Sequence, residues 1–307
     1  MDTDEKILFK KAELLLNEKV VKIEKLTKGY VNKTYKVSVG SGDYVFRIFA
    51  AFTWPEHGKI EFINKKLAEN NIERAENIAV IRDDDYFKNG YMAERFINGQ
   101  NAEDVVKTKD FVTEYYIKLA GLVGKIHKIT IENYGYIGHG IASHSSFVEF
   151  ISDVYDSDVI NKITKKGLLD IDQLKQIKSI ILRHISTINL PPVLCHGDIS
   201  PDNVMISDNE NKSLVLIDWD NATSGVWISD FSVMTYWMSL ALDKTEYAYY
   251  RDIFLKYYHT DYPVKNLAVL EKAFHLLQGI KLLSFYEDKG LLEITLRRLN
   301  EDRLTVE

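Results

Sequence analysis

The 307-residue chain holds one cysteine, Cys195, so it can form no internal disulfide. That thiol ends an apolar run, "VLC", inside an apparent strand, and reads as a buried, inert side chain rather than a nucleophile. Prolines are only five (Pro55, Pro191, Pro192, Pro201 and Pro263), so few breakers interrupt long helices. No stretch approaches the roughly 18 apolar residues of a membrane span. The opening "MDTDEKILFKKAELLLNEK" is charged throughout and has no apolar core of signal-peptide length. A soluble, cytoplasmic protein is expected, with no membrane partner. Basic excess is missing too: 45 acids against 39 bases leave a net charge of −6, which argues against a nucleic-acid partner. Such a surface suits a cationic small molecule, but it also simply confers solubility.

What is present is the composition of a globular protein, 46% hydrophobic and 27% charged, in a chain long enough for two domains. Ile7, Leu8, Ala12, Leu15 and Leu16 lie near one helical face. Then the period shortens. "VVKIEKL" (20–26), "NKTYKVSV" (32–39) and "DYVFRIFA" (43–50) read as strands, the last two joined by the hairpin signal "GSG". Residues 55–70 read as a helix with Pro55 in its first turn, and "NIAVIRD" and "GYMAERFI" as two more strands. From "NGQNAED" onward helical spacing dominates. His127 closes one such run and reads as a packing histidine. Short strands at "PPVLCHGD", "NVMIS" and "SLVLIDWD" interrupt the helices, which resume over 228–300.

The interruption concentrates polar groups. "HGDISPDN" (196–203) follows a buried strand, and "LVLIDWD" delivers Asp218 after four apolar residues. A carboxylate at a strand's mouth is expensive unless it is paired or bound to metal. The amide oxygen of Asn203 and the carboxylate of Asp218 make a hard, all-oxygen donor set that suits Mg²⁺. Asp198 remains to accept a proton. Metal and base together are the minimum kit for phosphoryl transfer. A surface turn explains "SPDN" alone. It does not explain the preceding His-Gly-Asp or the acidic strand end that follows.

In order and spacing, "HGDISPDN" and "LIDWD" resemble the aminoglycoside phosphotransferase and choline kinase superfamily. The resemblance implies an α+β, bilobal protein-kinase-like fold: a small antiparallel sheet with one main helix over 1–96, and a larger, mostly helical lobe over 97–307. It makes Asp198 the catalytic base and Asn203 and Asp218 the Mg²⁺ ligands. His196 becomes a structural loop residue, and Asp220 a variable second acid. Asp230, in "GVWISDFSVM", would accept backbone hydrogen bonds from the catalytic loop, or serve as a helix N-terminal acid. Gly29, Asn32 and Thr34 would cover the nucleotide phosphates, although "LTKGYVNKTYKV" lacks the G-x-G-x-x-G pattern. Where the family carries a lysine on its third strand, this chain has Arg47. A phosphate clamp remains chemically reasonable, with Glu61 as the expected partner. The backbone near Glu94 and Phe96 would bind the base, which leaves ATP and GTP both open.

For the acceptor, Asp153 and Asp156 of "SDVYDSD", with Asp220 and Trp227, are candidate contacts. Acids suit an aminoglycoside, and an aromatic cage suits choline. The leading expectation is an antibiotic kinase acting in resistance. A kinase of choline, ethanolamine, homoserine or a sugar is the alternative. A non-catalytic kinase-like binding protein ranks lower, because Asp198, Asn203 and Asp218 are all present. No activation segment separates "IDWD" from Asp230, which disfavours a protein kinase.

Overall fold

The computed structural model describes residues 3–26, 32–108, 111–155 and 157–306. Gly29 and Asp156 lie outside them. The helices are α1 (Thr3–Leu16), α2 (Lys59–Glu69), α3 (Ala102–Lys107), α4 (Val112–Ile126), α5 (Phe147–Val154), α6 (Ser157–Lys165), α7 (Ile171–Ile185), α8 (Trp227–Ala241), α9 (Lys244–Tyr257), α10 (Leu267–Phe285) and α11 (Lys289–Val306). The strands are β1 (Val20–Leu26), β2 (Lys33–Val39), β3 (Gly42–Ile48), β4 (Asn77–Ile81), β5 (Tyr91–Arg95), β6 (Gly99–Asn101), β7 (Gly135–Tyr136), β8 (Val193–Cys195), β9 (Val204–Ser207), β10 (Leu214–Leu216) and β11 (Thr223–Gly225). Two compact units result. The first holds residues 1–100, 138–140 and 205–220, and the second holds the remainder.

The first unit is built on an antiparallel sheet ordered β1-β2-β3-β5-β4. Strand alternation divides its side chains between two faces. Tyr35, Val37, Tyr44, Phe46 and Ala93 form one core with Leu8 and Ala12 of α1. On the other face Phe49 and Met92 pack with Ile60 of α2. This second face is where polar groups intrude. Ladder pairing sets Arg47 between Thr34 on β2 and Met92 on β5, and Val45 against Glu94. The helix expected over 55–70 begins only at Lys59. Gly58 precedes it at φ 73°, where an added Cβ would come 3.0 Å from the Cα of His139, so glycine is required there.

In the second unit α10 is the central element, packing on α6, α7, α8 and α11, while α4 packs on α9. Its small sheet has the order β7-β11-β8 and fixes the strand leading into "HGDISPDN". Cys195 at the end of β8 is fully buried, and burial pushes its thiol well above the usual range. Among the described residues no helix is long and apolar enough to cross a membrane.

Candidate active site

The second unit presents the 196–203 loop. Its first turn needs Gly197, which sits at φ 80° with room for no Cβ: one built there would lie 2.1 Å from the carbonyl oxygen of Asn221. Asp230, on the first turn of α8 and 1% exposed, anchors that turn. Its Oδ2 accepts the His196 backbone N–H at 2.7 Å, and its Oδ1 accepts that of Gly197 at 2.7 Å. His127 Nε2 meets the same carboxylate at 3.1 Å, and His127 Nδ1 meets the Tyr258 hydroxyl at 2.8 Å. Burial alone would raise the Asp230 pKa. Bonding and charge from His127, the charge of His196 and the Gly197 N–H outweigh it and hold the carboxyl below its ordinary value. The His196 ring is fully buried, and its Nδ1 accepts the Asp198 N–H at 3.3 Å.

Asp198 is thereby presented half-buried, with both carboxylate oxygens directed. Oδ1 accepts the Trp237 indole N–H at 3.3 Å, and Oδ2 accepts the Asn203 amide at 3.1 Å. Asn203 also donates to the Asp198 carbonyl at 3.0 Å. With its amide nitrogen turned inward, Asn203 has its Oδ1 available as an oxygen donor. Lys281 of α10 brings a half-buried cation into this neighbourhood. Burial lowers its pKa, opposed by the charges of Asp198 and Asp230.

His127, Cys195 and Asp230 bring ligand-type atoms within 4.8 Å of one another. Hydrogen bonds already engage both nitrogens of His127 and both oxygens of Asp230, so this cluster has no need of an ion.

In the first unit the 218–220 turn follows β10, and Asp218 adopts φ 61°, unusual for a residue with a side chain. Arg47 grips it. Its Nη1 lies 2.7 Å from Asp218 Oδ1, and its Nη2 lies 2.9 Å from Asp220 Oδ1. These two acids, not Glu61, are the partners of Arg47. Glu61 is exposed on α2 and its charge is felt instead by Arg82. The correction has a simple cause: a buried guanidinium needs an acceptor that reaches it, and the 218–220 turn brings Asp218 and Asp220 to its two Nη groups whereas Glu61 stays exposed on α2. The Nε of Arg47 remains a buried donor with no hydrogen-bond partner among the described residues. Asp218 keeps its side chain 49% exposed, a carboxylate oxygen ready for a further partner.

Asp220 is 5% exposed and is held from three sides. Besides Arg47, Asn32 donates to its Oδ2 at 3.2 Å, and Lys59 donates to its carbonyl at 2.9 Å. Burial raises the Asp220 pKa, Arg47 lowers it and the neighbouring Asp218 raises it. These bonds occupy Asp220 within the first unit rather than leaving it for an acceptor. Glu94, which lines a cavity with Arg47, Asn64, Arg74, Met92 and Trp219, is pushed up to about 7 by burial, against the pull of Arg47. The Phe96 N–H donates to the Asp43 carbonyl at 3.1 Å, so it is already engaged.

Two acceptor candidates are also placed. Trp227 is 5% exposed, packs on Tyr258 and donates its indole N–H to the Tyr262 carbonyl at 3.0 Å, which makes it a core residue. Asp153 is exposed and pairs with His144 at 2.8 Å. Sequence reasoning offered Trp237 only as an acceptor-lining aromatic and missed Lys59 and Lys281. Each lysine sits in a helix whose pattern looks ordinary, and only long-range contacts within its own unit reveal it.

Residues 22–264 match the family of phosphotransferase enzymes. The chain belongs to that family. It is a phosphotransferase, and its fold is the kinase-like one. No curated protein matches this phosphotransferase in sequence. Among solved structures it is similar to a thermostable mutant of aminoglycoside phosphotransferase APH(4)-Ia in its apo form. The TM-score is 0.72 at 15% identity, covering 98% of each chain. A putative fructosamine-3-kinase from Haemophilus somnus 129PT gives 0.70 at 14% identity over 96% of each chain. Choline kinase LicA from Streptococcus pneumoniae gives 0.63 at 14% identity, over 99% of this chain and 100% of that one. At such identities the likeness speaks for the fold.

Proposed function

We propose that this phosphotransferase moves the γ-phosphoryl group of a nucleoside triphosphate to a hydroxyl of a small molecule, with Mg²⁺. The observation that carries the reading is the built state of Asp198, whose two oxygens are oriented by Trp237 and Asn203 on a loop anchored by Asp230. In the proposed step the acceptor oxygen bonds to the γ-phosphorus and its proton passes to Asp198. The bond from phosphorus to the bridging oxygen breaks, and the nucleoside diphosphate leaves. Asn203 Oδ1 and the exposed Asp218 oxygen are the proposed Mg²⁺ ligands, and their all-oxygen chemistry fits that ion. Bound there, Mg²⁺ would neutralise phosphate charge. Arg47 is assigned to the nucleotide phosphates, with Gly29, Asn32 and Thr34 of the covering loop. The segment around Glu94 and Phe96 is assigned to the base. Nucleotide binding is supported by a neighbour, since APH(4)-Ia has been captured with ADP and hygromycin B.

For the acceptor, an aminoglycoside or related antibiotic is the first reading, supported by that neighbour. A metabolite kinase acting on choline, ethanolamine, homoserine or a sugar is the alternative. The test is nucleotide consumption by the purified protein with aminoglycosides, choline, ethanolamine, homoserine and sugars, run beside Asp198→Asn. Turnover with one acceptor, reduced at least roughly 10²-fold in the variant, is expected. Near wild-type turnover by Asp198→Asn would remove the base assignment.

A further inference from the structure

Lys59 is the first residue of α2 and is 0% exposed. Its ammonium makes an ion pair with the Glu56 carboxylate, donates to the Asp220 carbonyl at 2.9 Å, and sits 4.7 Å from the centre of the Trp54 ring. A lysine is an expensive way to fill such a space. Burying its charge is unfavourable, and burial lowers its pKa, whereas a methionine of similar length would incur no such cost. The expense secures one thing an apolar side chain cannot provide, a charged donor to the backbone of the 218–220 turn.

That turn is under tension of a particular kind. Asp218 holds a left-handed backbone at φ 61°, a region that side-chain-bearing residues seldom occupy. Two positions on, Asp220 is gripped by its side chain and its carbonyl at once: Arg47 and Asn32 take the carboxylate, and Lys59 takes the main chain. Asn32 is itself fixed, its Oδ1 accepting the Ala50 N–H at 2.9 Å. Asp220 lies in a single 3-10 turn, Trp219–Asn221, and its side-chain bonds do not hold its carbonyl. The Lys59 bond adds that hold.

We propose that Lys59 is a positioning residue that locks the 218–220 turn, and so sets how strongly Mg²⁺ tightens nucleotide binding. This rests on the kinase reading above. The test uses ADP as probe, titrated calorimetrically with and without Mg²⁺. The proteins are wild type, Lys59→Met, Lys59→Arg, and the double variant Lys59→Met with Glu56→Gln. The double variant leaves no unpaired buried carboxylate, so it protects the fold. Expected is roughly a tenfold loss of the Mg²⁺ enhancement in both methionine variants, from one lost charge-assisted bond, with the metal-free ADP affinity unchanged. Lys59→Arg should recover part of it. A folded methionine variant with wild-type enhancement overturns the proposal. So does failure of both methionine variants to fold, which would make Lys59 a residue of stability alone. Wild-type protein that binds no ADP overturns the kinase reading itself, a distinct result from intact binding with an unaffected variant.

Discussion

Replacing Asp230 by alanine should test whether the catalytic loop is held as the geometry implies. The substitution strips the partner from the backbone N–H groups of His196 and Gly197, each bonded at 2.7 Å, and from His127 Nε2 at 3.1 Å. His196 is fully buried, so water does not readily replace the lost acceptor. A buried donor left unsatisfied costs about 1–3 kcal/mol, and the two N–H groups together give roughly 2–6 kcal/mol. Against a total stability of about 5–15 kcal/mol that is a large fraction. Asp230→Asn should fall between wild type and alanine, because its amide keeps one acceptor oxygen and turns an N–H toward the other donor. Urea unfolding at pH 7 measures all three, and His127→Phe, which spares both backbone N–H bonds but deletes the third bond and the one to Tyr258, serves as reference. An alanine variant within about 0.5 kcal/mol of wild type would refute the anchoring argument.

Gly197→Ala should be destabilising by about 2 kcal/mol or more and should reduce turnover, since its Cβ would sit 2.1 Å from the Asn221 oxygen; thermal denaturation checks this. Arg47→Met strands Asp220 beside Asp218 and should cost about 3–5 kcal/mol, with part regained in Arg47→Met combined with Asp220→Asn; a double-mutant cycle by urea unfolding measures the coupling. His275 is buried and burial lowers its pKa from the usual 6.5, so the unfolded chain binds the proton more readily; stability should fall as pH drops below about 6.5, and a His275→Gln variant should lose that part of the slope. Asp302 behaves in the same direction at lower pH: burial is outweighed by His275 and Lys272, its pKa lies below 3.8, and its contribution, present above that value, is lost on further acidification; Asp302→Asn should flatten the acid limb.

The sheet and most helices were legible from periodicity. β1 coincides with "VVKIEKL", β2 lies within its expected run and β3 overlaps its own, starting one residue earlier at Gly42, because alternating Val, Tyr and Phe leave little choice of face. The start of α2 was not, since it depends on Gly58 meeting His139, a contact 81 positions away in sequence. The partners of Arg47 escaped for the same reason. Glu61 is a plausible local choice, but the structure reaches 171 residues along the chain to Asp218. Lys59 reads as an ordinary solvated lysine until the turn that buries it is placed. Charges announce that they need partners; only the folded chain says which.

The first unit takes residues 205–220 from late in the chain, after more than a hundred residues of the second. During synthesis the five-stranded sheet can form early, yet Arg47, Asn32 and Lys59 must wait for Asp218 and Asp220. At about 5–20 residues per second the interval between residues 100 and 220 is roughly 6–24 s. For that time a nascent chain carries Arg47, a buried-to-be cation, without its anions, and Lys59 without the carbonyl it will hold. No single cut of the chain releases the first unit whole, so a fragment ending at residue 100 would keep its sheet and lack the acids that neutralise its interior.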